Sequence, residues 1–225
     1  GTRIGPYFLP IYAGVSLCNN EFRWSPRIRR DDGMVRLVAG LGTRAVDRVG
    51  DDYPVLIAPF RPEIRVNRLI DEAIQYSQRF VDVINIEMGT LETVDSTELL
   101  KKYWDEYPLV HQMVSLHKEG MLQPARNILI DTEGSEMVIT FDKMIEKTEF
   151  ISQIKALLTV LKSKLRTPVD IEFAHDGKNL YLLQCRPQHQ ALEVDRVPVP
   201  KNIPQNRKLF TANKYITTSH IESIE

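Results

Sequence analysis

Residues 168–188 read PVDIEFAHDGKNLYLLQCRPQ, and this stretch decides what the chain can be. Val169, Ile171 and Phe173 alternate with Asp170, Glu172 and Ala174. That period of two marks a strand with one apolar face. Asp176-Gly177 supplies a turn, because glycine reaches positive φ at little cost and aspartate tolerates it. Residues 180–185 form a second β-prone run, which Pro187 ends. The stretch is therefore predicted to be a β-hairpin.

Its polar face carries unusual chemistry. Asp170 and Glu172 share one side of the first strand, about 7 Å apart. Two carboxylates at that distance repel by roughly 2 kcal/mol at an effective dielectric of 20, and by about a quarter of that in water. A solvated face tolerates this, whereas a cleft asks for a cation. Gln184 and Arg186 have the same two-residue spacing on the second strand. Whether the two faces coincide depends on the loop. A two-residue turn pairs Glu172 with Tyr181 and puts Gln184 on the other side. An odd loop, residues 175–179, sets Glu172 opposite Leu182 and Asp170 opposite Gln184. Glu172 and Gln184 are then diagonal neighbours, about 7–8 Å apart at Cα. Oxygen-bearing side chains converging there suit a hard cation such as Mg²⁺, and Arg186 could fork onto a phosphate. The same charges also read as an ordinary solvated hairpin face.

The stretch resembles the end of the nucleotide-binding domain of the phosphoenolpyruvate synthase and pyruvate phosphate dikinase family. There a strand D-I-E is followed by a turn and L-Q-x-R. Asp170, Ile171, Glu172, Leu183, Gln184, Arg186 and Pro187 match that pattern. The resemblance implies an α+β fold, an ATP-grasp lobe with an antiparallel sheet flanked by helices. It implies ATP and Mg²⁺ as ligands, with Glu172 and Gln184 on the metal and the phosphates, and Asp170 supporting them. It places Arg186 against the transferring phosphate, as the catalytic residue. The loop of the hairpin is then expected to be odd. A second likeness lies at Ala13-Gly14-Val15, followed by a polar loop and a strand over 34–39. In the family these are neighbouring strands of the sheet that floors the nucleotide. Gly40-Leu41-Gly42 corresponds to a family segment G-L-G-E, with Thr43 where the acid stands.

Composition narrows the class. The chain has 225 residues, a formal net charge of −1 and two cysteines, Cys18 and Cys185. Near-neutrality argues against bulk attraction to nucleic acid or membrane. No apolar run approaches a membrane span, and the start carries no signal-peptide pattern. Two cysteines make a disulfide framework unneeded, and a cytoplasmic setting is the expectation. Cys185 is expected to be buried opposite Gln184 and Arg186. The chain opens on Gly1 inside a structured-looking stretch, so it reads as a piece of a larger protein.

The remaining segments are read in order. Residues 7–18 are one or two buried strands broken at Pro10, with Gly14 marking a bulge or a close backbone approach. The arginine-rich segment 21–48 reads either as a phosphate-facing patch or as a hairpin with internal ion pairs. Residues 47–53 read as a loop. Residues 62–82 look helical, with a short strand at 81–86. Residues 96–119 are helical, capped by Ser96 and divided at Pro108. His111 and His117 do not share a helical face, so they are not expected to hold a metal. Residues 127–130 and 137–141 read as paired strands about the turn 132–135. Residues 143–166 carry a broad apolar stripe and form the strongest predicted helix. The family likeness covers 7–60 and 146–190, which leaves 61–145 as a mostly helical insertion.

On this reading residues 1–194 form the nucleotide-binding lobe. Residues 195–225, with Pro198, Pro200 and Pro204, form a linker and tail toward a swivelling phosphohistidine domain. That domain's G-G-x-T-x-H signature is not found, so neither His189 nor His220 is a candidate phosphate carrier. ATP-grasp sites form between two lobes, and the preceding lobe is not recognised here, so this segment alone is expected to be inactive. The implied reaction sends phosphate to a histidine and on to pyruvate. Other acceptors, such as a glucan or an antibiotic, are the alternative within the family. A non-catalytic interaction module is the alternative outside it. A homodimer is one possible assembly.

Overall fold

The computed structural model describes residues 1–46, 52–67, 69–125, 135–188 and 204–208. In chain order they form β1 (Thr2–Ile4), β2 (Tyr7–Leu9), β3 (Tyr12–Leu17), β4 (Met34–Ala39), α1 (Thr43–Val46) and β5 (Val55–Ile57). Next come α2 (Ile70–Gln75), β6 (Phe80–Asn85), β7 (Thr90–Asp95), α3 (Ser96–Tyr103), α4 (Val110–Met113), β8 (Val114–Lys118), β9 (Met121–Pro124) and β10 (Glu136–Ile139). The chain continues through α5 (Asp142–Lys147), α6 (Phe150–Leu165), β11 (Val169–His175) and β12 (Leu180–Pro187). The fold class is α+β, as the sequence implied. Among the described residues no helix is long and apolar enough to cross a membrane.

The strands make three antiparallel sheets. The central one has five strands in the order β12-β11-β3-β4-β5. A second runs β1-β2-β6-β7, and a third runs β10-β8-β9. The central sheet buries the alternate residues Val169, Ile171 and Phe173 beneath α6, which packs on β11 and β3. Phe150, Ile151, Ile154 and Leu158 form the buried stripe of α6. Phe150 meets Phe173 at 6.1 Å and Tyr12 at 5.7 Å between ring centroids. The helix ends at Arg166 in the left-handed conformation, and Pro168 follows. Pro10 breaks 7–18 into β2 and β3, as expected.

Gly14 explains why β3 and β4 lie so close to α6's side of the core. A Cβ there would come within 2.3 Å of the Arg36 carbonyl oxygen and 2.8 Å of Phe173 Cζ. One of those neighbours is backbone and cannot step aside. Gly14→Ala is expected to cost about 3 kcal/mol or more. That is a fall on the order of 10 °C in thermal midpoint for a domain of this size, readable by circular dichroism.

Residues 61–145 differ from the helical expectation. They hold β6–β10 as well as short helices, and β6 pairs with β2 near the chain's start. The predicted helix over 62–82 shrinks to α2, because residues 61–65 are held from outside. Trp24 Nε1 donates to the Ile64 carbonyl at 3.0 Å, Ile64 packs with Ile28 and Ala58, and Arg65 pairs with Asp142 at 2.7 Å. The cap before α3 is Asp95, not Ser96; its carboxylate accepts from the Thr97 and Glu98 N–H groups. The helical region 96–119 ends early, with β8 beginning at Val114. Strand β10 pairs with β8, while 127–130 and the turn 132–134 lie outside the described residues. So do 47–51, His189, His220 and most of 195–225.

Candidate functional site

The hairpin β11–β12 forms one edge of the central sheet. Its turn is built by Asp176, whose Oδ1 accepts from the Lys178 and Asn179 N–H groups at 2.8 Å each. Those two bonds and the Tyr181 hydroxyl hold the Asp176 carboxyl well below the usual range. Gly177 sits at φ 98. Near the turn, His175 pairs with Leu180 and Phe173 with Leu182. The intervening loop, 176–179, is therefore even, not odd. Continued unchanged, that register would turn Gln184 and Arg186 toward the core side.

A β-bulge corrects the parity. The register shifts between Glu172 and Phe173, so that Glu172 pairs with Gln184 and Asp170 with Arg186. Leu183 is the extra residue, and it is 63% exposed. An odd count of unpaired residues is reached by four in the loop and one in the bulge. The four polar side chains thus share a face, paired directly across the ladder rather than diagonally. Directly opposite residues bring Cβ atoms to about 4.5–5.5 Å. Cys185 lies opposite Ile171 on the other face, as expected, but at the sheet edge it is half-buried against the core rather than buried.

Arg186 Nε donates to Asp170 Oδ1 at 2.7 Å. The arginine side chain is 57% exposed and the aspartate 16%. The side chains of Glu172 and Gln184 make no hydrogen bond among the described residues. Their carboxylate and amide oxygens are the hard donors that Mg²⁺ accepts, so the donor set fits that ion. Among the described residues no three His, Cys, Asp or Glu side chains converge. A hard cation held here would complete its shell with water and phosphate oxygens.

The same face continues across the sheet. Glu172 pairs with Val15, Val15 with Arg36 and Arg36 with Leu56. In the next row Asp170 pairs with Leu17 and Leu17 with Met34. The Gly40–Gly42 loop and α1 lie over this face, where Gly42 approaches Ala13 Cβ. Gly40 adopts φ 77, and a Cβ on it would strike Val81 at 2.3 Å. The glycines thus let the loop pass close to β6.

Thr43, where the family segment has an acid, donates from Oγ1 to Asp82 Oδ2 at 2.5 Å. Thr93 Oγ1 donates to Asp82 Oδ1 at 2.6 Å, and Arg44 Nε lies 3.2 Å from the same oxygen. Burial raises the Asp82 pKa, but the two hydroxyls and Arg44 outweigh it and hold the carboxyl below its ordinary range. Arg44 Nη1 also meets Asp52 Oδ2 at 2.6 Å, with both side chains buried. An acid at position 43 would set two carboxylates against each other. The β6 aspartate and Thr43 therefore suit one another.

The arginine-rich run resolves into several roles. Arg44 is a buried ion-pair partner, and Arg30 pairs with Glu21 at 2.6 Å. Arg36 is the one polar residue of β4 and lies in the Glu172 row. Strand alternation could have singled it out; the density of neighbouring arginines hid it. Asp82 had no local signal, because its partners are distant in sequence. His117 faces Glu136 at 3.6 Å, away from the hairpin.

A comparison with curated protein sequences finds no match. The sequence model of the family described as pyruvate phosphate dikinase, AMP/ATP-binding domain matches residues 4–207 and runs through 61–145. With the D-I-E strand, its bulged partner and the glycine loop assembled on one sheet face, the chain belongs to the family of pyruvate phosphate dikinase AMP/ATP-binding domains.

Proposed function

We propose that the face of β11 and β12 holds the phosphates of Mg²⁺-ATP in a phosphoenolpyruvate synthase-like dikinase. The carrying observation is the register that sets Glu172 opposite Gln184 and Asp170 opposite Arg186. Glu172 and Gln184 supply oxygen ligands, and the metal would neutralise charge on the phosphate oxygens. Asp170 takes Nε of Arg186 at 2.7 Å and so fixes the plane of the guanidinium. Its terminal nitrogens make no hydrogen bond among the described residues and can fork onto a phosphoryl group. Phosphoryl transfer asks the protein for positioning and charge neutralisation more than for covalent chemistry, and these four residues offer both. The acceptor in this reading is a histidine on a swivelling domain, with pyruvate the final recipient. Residues 1–194 are then the nucleotide-binding lobe, and 195–225 lead toward that domain.

The test is a calorimetric titration of the full-length protein with ATP, with and without Mg²⁺. Wild type is expected to bind ATP in a Mg²⁺-dependent way. Glu172→Gln keeps shape and loses the anionic ligand, and is expected to weaken that binding at least tenfold. Absence of Mg²⁺-dependent binding to wild type would refute the assignment.

A further inference from the structure

The turn between β11 and β12 is closed by side chains as much as by backbone. The Gly177 N–H donates to His175 Nδ1 at 2.9 Å, and the next two N–H groups donate to Asp176 Oδ1. Asp176 is anchored further. Its carbonyl oxygen accepts from the Thr2 hydroxyl, and its Oδ2 accepts from the Tyr181 hydroxyl at 2.8 Å. The turn also packs closely on its surroundings. A Cβ on Gly177 would come within 2.8 Å of Pro108 Cβ and 3.5 Å of Ile11 Cγ1. The hairpin tip thus joins β1, the entry to β3 and the segment between α3 and α4.

One of these bonds depends on a proton that moves near neutrality. Nδ1 accepts only while unprotonated, so the bond requires the neutral ring with its hydrogen on Nε2. The imidazole lies parallel to Tyr12, with ring centroids 4.7 Å apart and planes at 10°. That stack fixes the plane of the ring. Turning the ring over within the stack would offer Cδ2–H to Gly177, which is no acceptor. Protonation in place leaves two N–H donors facing each other across 2.9 Å.

The surroundings favour the neutral ring. Burial lowers the His175 pKa, and the Asp176 carboxylate raises it by less. Tyr12 of β3 and Tyr107, whose hydroxyl donates to the Ile11 carbonyl, stay neutral because burial pushes both hydroxyls far up. Leu180, opposite on β12, Ile11, Pro108 and Phe150 of α6, which meets Tyr12, carry no charge. Lys178, the other charged side chain of the turn, is exposed.

We infer that His175 is a pH-operated latch on the hairpin that carries Glu172 and Gln184: the neutral imidazole closes the turn onto Pro108 and Ile11, and protonation releases it. The inference goes beyond the nucleotide reading and stands without it, since no ligand takes part. The closed turn is fully favoured above the ordinary histidine value, about 6.5, and that preference is lost as pH falls through the lower folded value. Asp176 cannot carry the change, because its hydrogen bonds hold its carboxyl well below this window.

Hydrogen exchange of the full-length protein tests this, read by mass spectrometry in steps from neutral to mildly acid pH and corrected for intrinsic rates. In wild type the turn amides are expected to lose protection about tenfold in acid, the order that follows from a donor left without its acceptor. Helix α6 is the internal reference and should keep its protection. His175→Asn retains a short acceptor that does not titrate, and its turn should be equally protected throughout. His175→Ala has no acceptor and should exchange fast throughout. If a variant fails to fold, the wild-type midpoint decides. Loss in the histidine range supports the latch, and loss near about 4, the carboxylate range, overturns it. A flat wild-type profile, or acid loss that persists in His175→Asn, overturns it as well.

Discussion

Arg186→Ala in the full-length protein is expected to slow phosphoryl transfer from ATP about 10³-fold or more, the range seen when a phosphate-facing arginine is lost. A thousandfold loss corresponds to about 4 kcal/mol of transition-state stabilisation. The fold should scarcely notice. The side chain is 57% exposed and its partner is Asp170 at 2.7 Å, and exposed, solvent-screened pairs of this kind contribute little to stability. A large kinetic effect beside a small thermal one separates a role in phosphate handling from a role in folding. Arg186→Lys keeps the charge but loses the planar fork, and should fall between the two. The measurement is single-turnover transfer from labelled ATP, alongside a melting curve. A variant with wild-type transfer would remove Arg186 from the reaction.

The second large effect concerns stability. Arg44→Met leaves Asp52 and Asp82 charged and buried with their shared cation gone. Removing one partner of a buried pair costs about 3–5 kcal/mol, and each kcal/mol lowers the midpoint by roughly 2–4 °C in a chain of this size. The expected fall is therefore on the order of 10 °C or more. Phe80 loses the guanidinium that lies 5.6 Å from its ring centroid, which adds to the loss. Arg44→Met with Asp52→Asn should be less harmful than the two single costs combined, because the residues share one interaction.

The pH dependence follows in sign. Asp82 has a lowered carboxyl pKa in the folded chain. Its stabilising contribution is present above the unfolded value, near 4, and is lost as pH falls through the folded value. Without Arg44 that carboxyl rises, so acid destabilisation should begin at higher pH in Arg44→Met. Melting curves between pH 7 and the acid limit of solubility check this, and identical profiles would contradict it.

The hairpin was legible because a period of two survives in any environment. Val169, Ile171 and Phe173 announce a buried face wherever the strand lies, and α6 announces itself equally by its stripe. The parity of the two strands was not legible. The bulge at Leu183 is settled where β11 is already pinned to β3, so that Glu172 faces Val15. Loop counting reached the right face through the wrong partner. Segment 61–145 was misread for a related reason. Its strands are short, and their partners lie far away, as when Phe8 of β2 pairs with Ile84 of β6. Local periodicity carries no trace of such pairings. On that sheet face, the motif named the four hairpin residues that the register brings together, whereas the neighbours that only topology unites, Thr43 with Asp82 and Arg36 with Glu172's row, left no local trace.

Leu183 leaves the ribbon with a unit of slack. Were that single codon lost, Gln184 would slide into the vacated rung and still meet Glu172, and the strand would simply straighten. Losing two neighbouring codons has no such remedy: every side chain beyond the gap would invert, and the oxygen ligands would swap places with the apolar ones. Tolerance to length change here thus runs opposite to intuition, with the smaller deletion silent and the next one ruinous.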